Sequence, residues 1–132
     1  NLDVRAKNRI GAVGVHFYWR RDSGSVAERT AQVVNAFAQR TGKQVWITEA
    51  GCDISNSNQT PESQADVARL LFRTVERGDA RRFGPAFWFS YHDAIGSGVE
   101  RFGLLAGGPL PNKFEVRRVR RASYEVLAAS CD

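Results

Sequence analysis

Three short apolar runs, separated by stretches of helical periodicity, constrain this chain more than any other feature. Gly11-Ala12-Val13-Gly14-Val15-His16-Phe17-Tyr18, Val45-Trp46-Ile47-Thr48-Glu49 and Pro85-Ala86-Phe87-Trp88-Phe89-Ser90-Tyr91 are rich in β-branched and aromatic residues, which suit a pleated, packed strand. Their starts lie about 30 to 40 residues apart, the repeat of βαβ units with right-handed crossovers. The runs are apolar at successive positions, as in parallel sheets covered by helices. The order β-α-β-α-β-α assigns the chain to the α/β class.

The intervening segments carry helix punctuation. Ser25-Val26-Ala27-Glu28 reads as a capping box. Val26, Thr30, Val33, Val34, Phe37 and Ala38 follow at helical spacing, with Gly42 as the stop. Thr60-Pro61 gives an N-cap followed by a proline in the first turn. Val67, Leu70, Leu71, Thr74 and Val75 then form a stripe that Gly78 ends. The stretch from His92 to Lys113 is long and glycine-rich, and loops of that length inside a compact domain are usually functional. A last helix is expected over roughly Val116 to Ala129, with Val119, Ser123, Leu127 and Tyr124 inward.

Composition narrows the function classes. The 132 residues are 42% hydrophobic and 25% charged, which excludes disorder and allows one domain, here taken as residues 1–132. No apolar run reaches the roughly 18 to 20 residues of a membrane span, so no membrane partner is expected. Asn1-Leu2-Asp3-Val4-Arg5 has no signal-peptide character, and the absence of methionine points to an excised or processed piece. Cys52 and Cys131 fit no zinc spacing. The net charge of +5 is carried mainly by Arg20-Arg21, Arg81-Arg82 and Val116-Arg117-Arg118-Val119-Arg120-Arg121. These clusters lack interleaved aromatics and any nucleic-acid-binding motif, and read as solvated helix faces. Neither Rossmann glycines nor a phosphate loop follows a strand, so no nucleotide cofactor is expected.

In parallel α/β proteins chemistry collects at the carboxyl ends of the strands. His16 and Tyr18 stand at the first, Thr48 and Glu49 at the second, and Trp88, Ser90, Tyr91, His92 and Asp93 at the third. A carboxylate directly ending the run Val45-Trp46-Ile47 is costly to bury unless paired or functional. On residue type alone, a strand-end salt bridge is the plainer reading of Glu49. His16 and Tyr18 also fit satisfied core polars, and Trp88 fits plain packing. His92 and Asp93 fit a loop-capping pair as well as a binding pair. Trp46 is read as packing on the face turned away from the catalytic end.

Taken together these residues carry a family pattern. Ile47-Thr48-Glu49-Ala50-Gly51 resembles the nucleophile motif ending the seventh strand of clan A retaining glycoside hydrolases, which are (β/α)8 barrels. Val15-His16-Phe17-Tyr18 resembles their sixth-strand His-x-Tyr, and Phe87-Trp88-Phe89-Ser90 the eighth-strand segment carrying a subsite tryptophan. Arg101-Phe102-Gly103-Leu104 with Arg121-Ala122-Ser123-Tyr124 is similar to the ending that introduces the last barrel helix. The resemblance implies three consecutive βα units of a TIM-type barrel, incomplete in this chain, acting on β-linked saccharides. It implies Glu49 as nucleophile, Tyr18 orienting it, and His16 holding the substrate or the acid. Trp88 would stack on the sugar, and His92 and Asp93 would contact further subsites. It calls for no cofactor or metal, and it leans toward a secreted or periplasmic setting.

The same resemblance marks what is missing. The family's acid/base glutamate follows an asparagine, and no Asn-Glu pair occurs here. Three parallel strands cannot close a barrel and leave two edges and an apolar inner face. The expected partners are therefore a saccharide and either the remainder of the barrel or further copies of the chain. A non-catalytic carbohydrate-binding piece or assembly module is the alternative. On this topology Cys131 would lie about 15 to 20 Å from Cys52 along the last helix, beyond the roughly 7 Å that a disulfide spans.

Overall fold

In a computed structural model, residues 8–19, 25–55, 59–90, 93, 101–109, 116–120 and 122–129 are described. The elements are β1 (Ala12–Trp19), α1 (Val26–Thr41), β2 (Gln44–Cys52), α2 (Pro61–Glu76), β3 (Phe83–Trp88), β4 (Leu105–Pro109), β5 (Val116–Arg120) and α3 (Ala122–Ala128). β1, β2 and β3 form a parallel sheet in that order, and β4 and β5 pair antiparallel in a second, two-stranded sheet. The consecutive parallel strands agree with the α/β reading. Among the described residues no helix is long and apolar enough to cross a membrane.

The core lies between one face of the sheet and the two long helices. Phe17, Trp19, Val45, Ile47, Ala50, Cys52 and Phe83 from the strands meet Val26, Val34 and Ala38 of α1 and Val67 and Leu71 of α2. Each fully buried aliphatic side chain contributes roughly 1.5 to 3 kcal/mol. Phe37, expected inward, is exposed. It stands at the margin of the stripe centred on Val26, Thr30 and Val34 and rotates out of it.

The helix ends show where local chemistry acted as expected and where it did not. Gly42 takes a left-handed conformation (φ 67°, ψ 20°) and donates its N–H to the Ala38 carbonyl at 2.8 Å, a geometry that favours glycine. At Thr60 a full reciprocal box forms, with the Ser63 N–H on Thr60 Oγ1 at 3.2 Å and the Thr60 N–H on Ser63 Oγ at 2.9 Å. The box expected at Ser25 does not form. Ser25 sits at φ −96°, ψ 0° rather than extended and its side chain makes no cap bond, while Glu28 accepts from Gln32 Nε2. α2 stops at Glu76 with Arg77 as its cap, one residue before Gly78.

The C-terminal third departs most from expectation. Leu105–Pro109, inside the supposed loop, is a strand, and Val116–Arg120, supposed helix, is its antiparallel partner. The Arg117, Arg118 and Arg120 backbone is therefore ladder rather than helix. Val116 and Val119 favour strand, and pairing with β4 supplies the backbone hydrogen bonds that a helix would otherwise provide. The helix shrinks to Ala122–Ala128, with Ser123 buried as expected.

The Thr30 hydroxyl is the one buried side-chain polar atom without a hydrogen-bond partner among the described residues. Thr30→Val, which replaces it with a methyl, is expected to raise stability by about 1 kcal/mol in urea unfolding. A loss of that size would contradict the unpartnered placement.

Candidate active site

The face of the sheet turned away from α1 and α2 carries the polar and aromatic side chains. Gly14, His16 and Tyr18 alternate with the half-buried or buried Val15, Phe17 and Trp19 of β1. A Cβ on Gly14 would meet the Thr48 side chain at 3.2 Å, so Thr48, and Trp46 two residues before it, share this face. Between β1 and β2 the register shifts: Val15 pairs with Ile47 and His16 with Glu49. Thr48 is the extra residue, and the bulge turns both Thr48 and Glu49 to the same side. Tyr18, Trp46, Phe87 and Phe89 are 41%, 38%, 51% and 42% exposed there. Trp46 is therefore not on the opposite face. Strand alternation places it below Glu49, where Gly84 leaves room for its ring and Gln44 Oε1 accepts its indole N–H at 2.8 Å.

The bulge brings three predicted residues together. The Tyr18 hydroxyl donates to Glu49 Oε2, and His16 Nδ1 lies 3.6 Å from the same oxygen. Both partners address Oε2, and Oε1 has no hydrogen bond among the described residues. A phenol donating to a carboxylate makes a short, charge-assisted hydrogen bond. The Tyr18 ring is held edge-on by Phe102 (centroids 5.3 Å apart) and Phe89 (6.0 Å), which also contact each other at 5.8 Å.

The remaining predicted residues are placed differently. Trp88 packs against the helix-side core and donates its indole N–H to the Phe102 carbonyl at 3.1 Å. The strand-end ring on the face of Glu49 is Phe89. Asp93 is buried, and its Oδ1 accepts the Gly103 N–H at 2.9 Å. His92 lies outside the described residues. Among the described residues no three His, Cys, Asp or Glu side chains converge as metal ligands.

With this geometry in place, a sequence model of the glycosyl hydrolase catalytic core matches residues 3–107. The chain belongs to the glycosyl hydrolase catalytic core family. No curated protein matches it. Among solved structures, a β-glucuronidase from an uncultured Clostridium species aligns with TM-score 0.66 and 15% identity, over 91% of this chain and 22% of that one. The family 1 β-glucosidase of Thermotoga maritima aligns with TM-score 0.61 and 14% identity, over 92% and 35%. An endo-β-1,3-glucanase of Amycolatopsis mediterranei, crystallised with laminaritriose and laminaribiose, aligns with TM-score 0.51 and 21% identity, over 67% and 38%. The glycosyl hydrolase core thus has a fold found in glycosidases and spans between 22% and 38% of the length of these structures.

Sequence reasoning missed the supports behind the site. Asp53 is buried and accepts the Ser55 N–H, the Ser55 hydroxyl and the Arg101 N–H at 2.8–2.9 Å. Gln64, fully buried on α2, donates to the Cys52 carbonyl at 3.0 Å and accepts the Ser123 hydroxyl at 2.8 Å. The available signal was a glutamine at the edge of an otherwise apolar helix stripe.

Cys52 is a free, buried thiol; Cys131 lies outside the described residues. Burial, and then the neighbouring Asp53 charge, push the Cys52 thiol from 9.0 up to about 11. The unfolded chain releases this proton first as pH rises, so the native state loses stability between pH 9.0 and about 11. Comparison of urea midpoints with Cys52→Ala across that window is expected to show a shallower decline in the variant. Equal slopes would contradict the assignment.

Proposed function

We propose that this chain is the C-terminal part, the last three βα units, of a (β/α)8 retaining glycoside hydrolase acting on β-linked saccharides, with Glu49 as its nucleophile. The observation that carries the reading is the Tyr18–Glu49–His16 cluster on the open face at the carboxyl end of a parallel sheet. Membership of the glycosyl hydrolase core family and the likeness to a β-glucanase and a β-glucosidase support it.

In this reading Glu49 attacks the anomeric carbon and forms a glycosyl ester as the glycosidic C–O bond breaks and the acid protonates the departing oxygen. Water, deprotonated by the same group, then displaces Glu49 through a second oxocarbenium-like transition state. The Tyr18 hydroxyl and His16 fix Oε2, and Oε1 is the oxygen left to attack. Phe89, on the same face, offers the flat ring on which a sugar stacks, the role that the family resemblance gives to its neighbour Trp88. The open sheet face around Trp46 and Phe87 is covered by the remainder of the barrel. That remainder also supplies the acid, a carboxyl group about 5 to 5.5 Å from Glu49.

One observation favours a second reading. Asp53 and Asp93, which follow Glu49 in the chain, are buried and accept backbone N–H groups. With no acid brought to Glu49, the chain would bind saccharide without cleaving it.

A dinitrophenyl 2-deoxy-2-fluoro-β-glycoside carries a leaving group that departs without an acid, so it tests the nucleophile alone. Mass spectrometry is expected to find one adduct on the peptide containing Glu49 and none in Glu49→Gln. Unchanged labelling of that variant would refute the assignment.

A further inference from the structure

We propose that Phe102 is a positioning residue for the nucleophile, and that residues 101–104 form a strap whose task is to deliver its ring beneath Tyr18. The inference rests on the reading of Glu49 as the nucleophile. Tyr18 stands on an open sheet face, 41% exposed, and its strand neighbour His16, itself exposed, meets the ring edge-on at 6.5 Å. The rings of Phe102 and Phe89 lie closer, at 5.3 and 6.0 Å, and of these three neighbours only Phe102 is buried.

The backbone on either side of Phe102 is tied at successive residues. The Arg101 N–H goes to Asp53 Oδ1 at 2.8 Å, and the Arg101 carbonyl receives the Ile54 N–H at 3.1 Å and Gln64 Nε2 at 3.4 Å. The Phe102 carbonyl receives the Trp88 indole, the Gly103 N–H goes to Asp93, and the Leu104 N–H to the Ser90 carbonyl at 3.1 Å. Two buried carboxylates are thus committed to a four-residue segment that contains no regular secondary structure up to Leu104. Hydrogen bonds of this charged kind are roughly twice as strong as neutral ones. The ring they place is admitted by Gly51, two residues after Glu49. A Cβ there would lie 2.9 Å from Phe102 Cδ1 and 2.7 Å from the Phe89 carbonyl oxygen. Glycine on the strand, the strap and the aromatic ring together read as one device for holding a phenol against a carboxylate.

The test uses the full chain with tyrosine labelled at the ring ζ carbon, three signals in all, with Tyr18 assigned through Tyr18→Phe. In Phe102→Leu and Phe102→Ala the Tyr18 signal is expected to move toward its position in Glu49→Gln, where the charged acceptor is gone. In Phe37→Ala, an exposed ring on α1, it stays in place. If Phe102→Ala loses its fold, Phe102→Leu, which keeps apolar bulk, decides. In parallel, inactivation by the fluoroglycoside is expected to slow by ~10-fold or more at saturation, with the concentration for half-maximal rate changed by less than about twofold. A Tyr18 signal at its wild-type position in a folded Phe102 variant, or an unchanged saturating rate, would overturn the proposal. If the wild-type chain resists the fluoroglycoside, the nucleophile reading fails, and the Tyr18 signal still decides the role of Phe102.

Discussion

The site depends on one extra residue in β2. Because Val15 pairs with Ile47 while His16 pairs with Glu49, Thr48 is bulged, and the carboxylate that strict alternation would turn toward the helices faces outward instead. That phase change puts Glu49 within reach of the Tyr18 hydroxyl and His16 on the neighbouring parallel strand. A carboxylate at the same position without the bulge would enter the layer of Val45, Ile47 and Cys52, where an unpaired charge costs several kcal/mol or loses its ionisation. Register, more than residue identity, separates an outward-facing, hydrogen-bonded carboxylate from a buried liability here.

The second layer of the design is polar and lies largely on the helix side of the sheet. Asp53, Gln64, Asp93 and Ser123 are buried; the first three hydrogen-bond the segments that close the carboxyl end of the sheet, and Ser123 hydrogen-bonds Gln64. Truncating any of them leaves a buried donor or acceptor unsatisfied, at about 1 to 3 kcal/mol. The gain is a fixed path for a non-repetitive segment, which apolar packing alone specifies poorly. Gln64 also joins α2 to α3 through Ser123, so the docking of the last helix and the position of the strap share one side chain.

Much of this was legible in the sequence, for physical reasons that differ by element. The parallel strands and the two long helices were readable because their burial is strongly patterned. Glu49, Tyr18 and His16 stood out as candidates through the family pattern; on residue type alone a strand-end salt bridge and satisfied core polars were the plainer readings. The β4–β5 ribbon was not readable. Glycines in one arm and arginines in the other give neither helix nor strand a clear hydrophobic period, and Val116 and Val119 fit both a helix stripe and a strand. Trp88 and Phe89 were inseparable for a related reason. In Phe87-Trp88-Phe89 every residue is apolar and aromatic, and two register shifts along β2–β3 hide the phase of alternation. Trp46 was misplaced because strict alternation from Glu49 sets the two on opposite faces, and the Thr48 bulge that brings them to one face leaves no mark in the sequence.

Tyr18 and Glu49 form one hydrogen-bonded unit across β1 and β2. A double-mutant cycle of Tyr18→Phe and Glu49→Gln, read by urea unfolding, tests it most directly. A coupling energy of about 1 kcal/mol is expected, reduced from that of a buried charged pair by the partial exposure of both side chains. Additive single-mutant effects, within about 0.3 kcal/mol, would contradict it.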